Sequence, residues 1–256
     1  MKLGVAIAEA IRPVREPFLR ALDARETQPE IVPLWSRRSQ SPDGQHWHVD
    51  PTLLDALHER GTEPVIYMES TGASYPDILT GAHDDELRLL ACKADGHVIR
   101  WDQEPDGDFG QDWAGHELYA DVFQHVSEVM RSEADIRLMW CVIKPLEAIS
   151  EGYWPGDEAV QVVGFDRYSW TEGSNFPDVQ WRAPVKQLQK LVPGLPIRVG
   201  ECGRLAGLTR RGEWLRSARS VAGIEAVTVM DMLEPSLGHD WRFDAAMHRA
   251  AAEWQA

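Results

Sequence analysis

The stretch DDELRLLACKADGHVIRWDQEPDGD, residues 84–108, sets the reading of the fold. Asp84, Asp85 and Glu86 load acids into a first helical turn, where they face the positive end of the peptide dipoles, and an amphipathic segment runs on to Ala94. A short apolar run then begins at His97 and ends on Glu104, before the turn residues Pro105, Asp106 and Gly107. The unit is therefore a helix, a buried strand, and a polar loop that opens on a carboxylate.

The same unit recurs along the chain. Candidate strands are Leu3–Ala8, Glu30–Trp35, Pro64–Glu69, His97–Glu104, Ile136–Ile143, Val160–Tyr168, Pro196–Glu201 and Ala226–Met230. Between them lie helical readings at Val14–Ala24, Pro51–Glu59, Asp84–Ala94, Glu117–Ser132, Pro184–Leu191 and Trp214–Val221, and Phe243–Gln255 closes the chain. Asp50-Pro51 places a capping side chain before a proline whose missing N–H costs a first turn nothing. Eight strands alternating with helices imply a parallel sheet, and eight such units predict closure into a (β/α)₈ TIM barrel, with residues 1–256 as one catalytic domain. The competing arrangement is a doubly wound open sheet. Neither GxGxxG after the first strand nor GxxxxGK[ST] occurs, so its nucleotide-binding versions lose their support.

Composition narrows the function. A hydrophobic fraction of 43% supports a substantial core, and 41 acidic against 26 basic residues give a formal net charge of −15. Such a surface repels phosphate backbones and anionic headgroups, which argues against nucleic acid and membrane partners and leaves neutral sugars open. Eleven tryptophans are many for 256 residues; core packing accounts for some, and indoles lining a sugar cleft would account for others. Cys92, Cys141 and Cys202 show neither CxxC nor zinc-ligand spacing, so a disulfide framework or structural zinc is not expected. The opening MKLGVAIAEAI has no basic region followed by a long apolar run, and no stretch has the length of a membrane span. No signal peptide is expected within this chain, which leaves open a cytoplasmic protein or an exported one whose signal has been removed. A monomer is expected.

Two strand ends finish on a glutamate followed by a turn: HVIRWDQE at Glu104 and PIRVGE at Glu201. Barrel enzymes gather their chemistry at this end of the strands. Cleavage of a glycosidic bond with retention needs two carboxyl groups roughly 5 Å apart, one to attack the anomeric carbon and one to protonate the leaving oxygen. Mutual repulsion would keep one of the pair protonated near neutral pH, as a general acid requires. A lone glutamate at a strand end is commonly a solvated residue, so the flanking residues decide. A regular strand of period two would put Arg100, Asp102 and Glu104 on one face, and Arg100 would then hold the nucleophile ionised. A structural ion pair inside the barrel is the plainer alternative. Gly164, Asp166 and Tyr168 share a face of the sixth strand and bring a phenol to the same rim.

RWDQEPDGDFGQDW (100–113) resembles the acid/base motif of glycoside hydrolase family 26, the β-mannanase-like barrels of clan A. PGDEAVQVVGFDRYSW (155–170) is similar to that family's sixth-strand segment, and PIRVGECG (196–203) to the strand bearing its nucleophile. The resemblance implies Glu104 as acid/base, Glu201 as nucleophile, Arg100 and Tyr168 as positioning partners, and Phe109, Trp113 and Trp241 as aromatic sugar platforms. Trp35, Asp106 and Asp166 are further candidates for substrate contact. It implies a polysaccharide or oligosaccharide substrate, mannan first, and no cofactor. Gln103, a further positioning candidate, stands where the family has His, and Asp106 replaces the Asn of its turn. These departures motivate a second reading, a barrel that binds a glycan without cleaving it. A third, a metal-dependent hydrolase, would use His46-Trp47-His48, which lies away from the first strand end where such pairs belong.

Overall fold

In the computed structural model, which describes residues 1–11, 13–25, 27–37, 46–107, 116–172, 177–234 and 239–255, eight parallel strands close into a barrel in chain order. They are β1 (Lys2–Ile7), β2 (Ile31–Arg37), β3 (Glu63–Glu69), β4 (Val98–Trp101), β5 (Arg137–Val142), β6 (Val162–Ser169), β7 (Ile197–Arg204) and β8 (Ile224–Asp231). β1 pairs with β8 from Lys2↔Ala226 to Ile7↔Asp231, and this seam is what an open doubly wound sheet would lack. The TIM barrel expected from the alternation is the fold observed.

Each strand leads into helix: α1 (Arg15–Asp23) after β1, α2 (Pro51–Glu59) after β2, and α3 (Tyr75–Leu79) with α4 (Asp84–Lys93) after β3. α5 (Tyr119–Arg131), α6 (Pro145–Ser150), α7 (Ala183–Leu191), α8 (Arg211–Arg219) and α9 (Ala245–Gln255) follow β4 to β8 in turn. The local chemistry accounts for their starts. The Asp50 side chain accepts from the Thr52 amide ahead of Pro51, and the acids of α4 occupy its first turn. In α5, Val122, Phe123, Val126 and Met130 recur at helical spacing and are all buried. Among the described residues, no helix is long and apolar enough to cross a membrane.

Trp101, Trp140, Trp181 and Trp214 are fully buried, and the last two meet at 5.2 Å between ring centroids. These four indoles belong to packing, where each removes roughly 150–250 Å² from water. The two short helices α3 and α6, begun by Ser74-Tyr75-Pro76 and Lys144-Pro145, are too brief for helical periodicity to reveal.

One expected element differs in a way that matters. The strand expected over His97–Glu104 ends at Trp101, because Asp102 and Glu104 have φ of 34° and 52°. The Asp102 amide still donates to the Met68 carbonyl at 2.9 Å, and that of Glu104 reaches the Cys141 carbonyl at 3.3 Å. The chain thus stays between β3 and β5 while leaving extended geometry. Left-handed backbone costs an ordinary side chain about 1 kcal/mol or more, so packing around the loop must hold it.

Candidate active site

At the C-terminal end of the barrel, β4, β6 and β7 send charged side chains to one buried point. Arg100 is its centre: Nη1 donates to Glu201 at 2.8 Å and Nη2 donates to Asp166. Asp166 also accepts from the Glu201 amide at 2.7 Å and the Cys141 thiol at 3.2 Å. The Tyr168 hydroxyl donates to the other Glu201 oxygen at 2.7 Å. Beneath the guanidinium lies the Tyr67 ring, 4.7 Å from ring centroid to Cζ, and its hydroxyl donates to the Gly200 carbonyl. Glu104 enters from the loop after β4, near enough to Asp166, Glu201 and Arg100 for their charges to act on it. Both glutamates therefore converge on the Arg100–Asp166 pair.

A bulge makes this possible. From Val199 to Cys202, β7 advances three residues while β6 advances two (Phe165 to Arg167) and β8 two (Val227 to Val229). The extra residue breaks the alternation, so Gly200 and Glu201 both face inward. It also frees the Glu201 amide from the ladder to bond Asp166. Gly200 is required by space: a Cβ there would lie 2.6 Å from the Cys141 sulfur, 2.7 Å from Asp166 Oδ1 and 3.1 Å from Arg100 Nη1.

Electrostatics separates the two glutamates, which are only 8% (Glu104) and 6% (Glu201) exposed. Burial, then the charges of Asp166 and Glu201, push the Glu104 pKa well above the carboxylate range. Burial also raises Glu201, to about 7, but Arg100 and the Tyr168 hydroxyl pull against it. Glu201 is thus the first of the pair to ionise and Glu104 the one that keeps its proton. This is the division of labour that an acid and a nucleophile need.

Asp102 does not join them, contrary to the expectation of one face for Arg100, Asp102 and Glu104. Its carboxylate turns toward the end of β3, accepting from the Ser70 amide at 2.6 Å and the Tyr75 hydroxyl at 3.0 Å. The left-handed turn at Asp102 is the reason, since the side-chain alternation holds only while the strand is extended. Burial raises its pKa from an ordinary 3.8 to about 7. A folded pKa above the unfolded one means stability that is complete below about pH 4 and is lost as pH rises through about 7. Asp102→Asn is expected to remove that loss, which amounts to roughly a few kcal/mol. Denaturant melts at pH 5 and pH 8 should show a smaller decline for the variant than for the parent; equal declines would refute the assignment.

The other candidates divide. Both Asp106 oxygens are taken by backbone, accepting from the Ile143 amide at 2.9 and 3.1 Å and from the Lys144 amide at 2.7 Å. The residue staples the loop bearing Glu104 to the end of β5, where a sugar contact had been expected. Gln103 is half-buried, with its side-chain carbonyl oxygen sealed and unpartnered among the described residues. Trp35 and Trp241 are only 4% and 2% exposed, so neither offers a sugar a broad face. Trp35 packs edge-on to Tyr67 at 4.9 Å, and Trp241 packs on Tyr168 at the same distance. Phe109 and Trp113 lie outside the described residues.

Three participants escaped the sequence reading. Glu69 ends β3, is buried, and raises the pKa of both Asp102 and Glu201 by its charge. The signal that marked the other glutamates, a strand end before a turn, marks it equally. Tyr67 gave no signal, because its role is set by adjacency across the barrel. Trp170 is 47% exposed at the rim, 5.7 Å from Tyr168 and 4.9 Å from Trp241, and has the open aromatic face that Trp35 and Trp241 lack.

The segment His46-Trp47-His48 lies beside the ends of β3 and α4. Trp47 is buried and donates its indole N–H to the Glu69 carbonyl at 2.6 Å, while His46 lies 3.8 Å from Glu86. Among the described residues, no group of three or more His, Cys, Asp or Glu side chains is arranged to hold a metal ion. Cys202 donates to the Thr228 carbonyl at 3.3 Å, and burial pushes its thiol well up, away from the reactive thiolate.

No protein-family model matches the chain, and no curated protein matches it in sequence. Solved structures do match in fold. The family 26 glycoside hydrolase domain of an endo-β-mannanase/endo-β-glucanase from Prevotella bryantii aligns over 99% of this chain and 88% of its own, with a TM-score of 0.64 at 11% identity. A family 26 β-mannanase from Bacteroides ovatus aligns over 99% and 88%, with a TM-score of 0.63 at 13% identity. A family 5 xyloglucanase from Bacteroides ovatus aligns over 99% and 74%, with a TM-score of 0.62 at 13% identity. The chain therefore shares the barrel fold of these family 26 and family 5 domains.

Proposed function

We propose that the chain hydrolyses internal β-linkages of a polysaccharide with net retention, with Glu201 as nucleophile and Glu104 as acid/base. One observation carries the reading: two buried glutamates, Glu104 from the loop after β4 and Glu201 from β7, share the surroundings of the Arg100–Asp166 pair, and of the two it is Glu201 that receives donors from Arg100 and Tyr168. In the first step the Glu201 carboxylate attacks the anomeric carbon, the bond to the leaving oxygen breaks, and Glu104 gives that oxygen its proton. In the second, Glu104 takes a proton from water. The resulting hydroxide attacks the same carbon and releases Glu201.

Mannan is the first substrate to try, because two of the structures similar in fold belong to mannanases; β-glucan and xyloglucan follow from the same similarities. Purified protein incubated with these polymers should release reducing ends, and Glu104→Gln and Glu201→Gln should each nearly abolish the release. A confirmed activity that survives both substitutions would rule out these roles.

Gln103 favours a second reading, a glycan-binding barrel without turnover. Its side-chain carbonyl oxygen is buried without a partner among the described residues, and the residue stands at the sequence position where the family that the chain resembles has a histidine. Retention of the protein on glycan affinity gels, with no reducing ends released, would select this reading.

A further inference from the structure

A single indole on a protein surface usually needs no explanation. Trp170 differs from such a residue in where it stands and in how firmly it is held. Of the tryptophans among the described residues it is the exposed one; Trp154 is half-buried and the rest are buried. It follows β6 by one residue and lies two beyond Tyr168, whose hydroxyl donates to Glu201. Strand alternation puts these two side chains on one side, and their ring contact at 5.7 Å shows that they stay together past the strand end. The Tyr168 phenol therefore bridges the indole and the carboxylate of Glu201.

The neighbours fix this indole in place. Trp241 meets it at 4.9 Å and His239 at 4.6 Å, both in edge geometry and both from the segment after β8. Trp241 and Tyr168 lie in turn against β7 at Gly203, two residues after Glu201. A Cβ there would come within 2.7 Å of Trp241 and 3.2 Å of Tyr168. Arg204, buried on the same strand, donates to the Ser169 hydroxyl and the Thr171 carbonyl, the residues on either side of Trp170. Its Nη2 donates to Glu172 at 2.9 Å. A buried arginine thus clamps the backbone of a residue whose side chain is left open to solvent. Bracing Tyr168 does not account for the open part, because Trp241 already packs on that ring at 4.9 Å. An indole has only two side-chain torsions, and one held in this way loses little freedom when a ligand covers it.

We infer that Trp170 is a stacking platform for a neutral pyranose ring of the glycan, the ring adjoining the sugar that Glu201 attacks. A pyranose presents a face of C–H groups that can lie flat on an indole. The phenol separates the indole from Glu201, which puts the stacked ring one position along the chain from the attacked one. The inference rests on the reading of this cleft as a glycan site and adds to it a binding position outside the reacting pair. One face is about a third of the roughly 150–250 Å² that a large aromatic side chain can bury, and covering it is worth roughly tenfold in affinity.

Titration of the full chain with β-1,4-linked manno- and gluco-oligosaccharides of increasing length tests it, followed by calorimetry and by tryptophan emission. In the parent, affinity should step up roughly tenfold at the length that first reaches Trp170. Emission should move to shorter wavelength at the same length, as the exposed indole leaves water. Salt should leave the step unchanged, since no charge takes part. Trp170→Ala should lose the step while binding the shorter members as the parent does. Trp170→Phe should keep part of the step and lose the emission shift. No length dependence in the parent, a step that survives Trp170→Ala, or an emission shift that survives Trp170→Phe would overturn the inference. So would an equal loss at every length, which would make Trp170 only a brace for Tyr168. If Trp170→Ala does not fold, the emission of Trp170→Phe decides. A step removed by Trp170→Ala without release of reducing ends would leave this inference standing and remove the hydrolase reading; release of reducing ends with the step untouched would do the reverse.

Discussion

Replacing Glu201 by alanine is expected to lower hydrolysis on the order of 10⁴-fold or more, because the first bond-forming step loses its nucleophile. Azide should partly restore turnover. The shortened side chain leaves room for a small anion opposite the leaving group, and attack from there gives a glycosyl azide of inverted configuration. Glu104→Ala should behave differently in two respects. With a substrate whose leaving group is already acidic, the first step needs no proton and should proceed nearly unimpaired, so that the glycosyl-enzyme accumulates in a burst. Azide should then capture that intermediate and give the retained product. General acid catalysis is worth about 10²–10⁴-fold, so natural substrates should feel the full loss and activated ones little of it. The asymmetry follows from the site: Arg100 and Tyr168 donate to Glu201, whereas Glu104 is buried beside the charges of Asp166 and Glu201. Identical azide products from both variants, or equal sensitivity to the leaving group, would sink the assignment of roles. Equal pKa values would have predicted no such contrast; the structure instead pushes Glu104 the further up.

The barrel was legible because its physics is local and repeated. Each strand is a short apolar run, each helix start carries a cap or acids, and eight repetitions leave closure as the natural outcome. The meeting of Arg100 with Glu201 was legible too, since a buried arginine demands an acid and the rim offered one. What was hidden depends on backbone conformation. Nothing in the residue types from Arg100 to Glu104 announces that extended geometry stops at Trp101, and a glutamate with positive φ runs against its own preference. The extra residue in β7 is equally silent in sequence, yet it turns both Gly200 and Glu201 inward. Asp106 shows a related limit: its residue type marks the loop, but only the fold shows that the amides of Ile143 and Lys144, at the end of β5, donate to its oxygens. The tryptophans show the same limit. Composition gives their number, and only packing distinguishes the buried Trp241 from the exposed Trp170 beside it.

The second large effect is expected at Arg100, as a positioning residue. Its side chain is wholly buried between Asp166, Glu201 and the Tyr67 ring. Arg100→Leu strands two carboxylates without their cation, and breaking a buried pair in this way typically costs about 3–5 kcal/mol. Of the influences that hold the Glu201 pKa down, the Arg100 charge is the largest, so its removal should leave Glu201 protonated at neutral pH and the nucleophile inactive. Arg100→Lys separates the two consequences. One ammonium can reach one acid but cannot fork to Glu201 and Asp166 together. That variant should fold, and the acid limb of its kcat/KM profile should move to higher pH, because ionisation of Glu201 then occurs later. Adding Asp166→Asn to Arg100→Leu should recover part of the lost stability, by deleting one of the stranded charges, without recovering activity. A purely structural arginine would give the opposite pattern: stability and activity would fall and return together, and the acid limb of Arg100→Lys would stay where the parent has it. The pH profile of the lysine variant therefore distinguishes an arginine that merely fills the barrel from one that sets the charge of its neighbour.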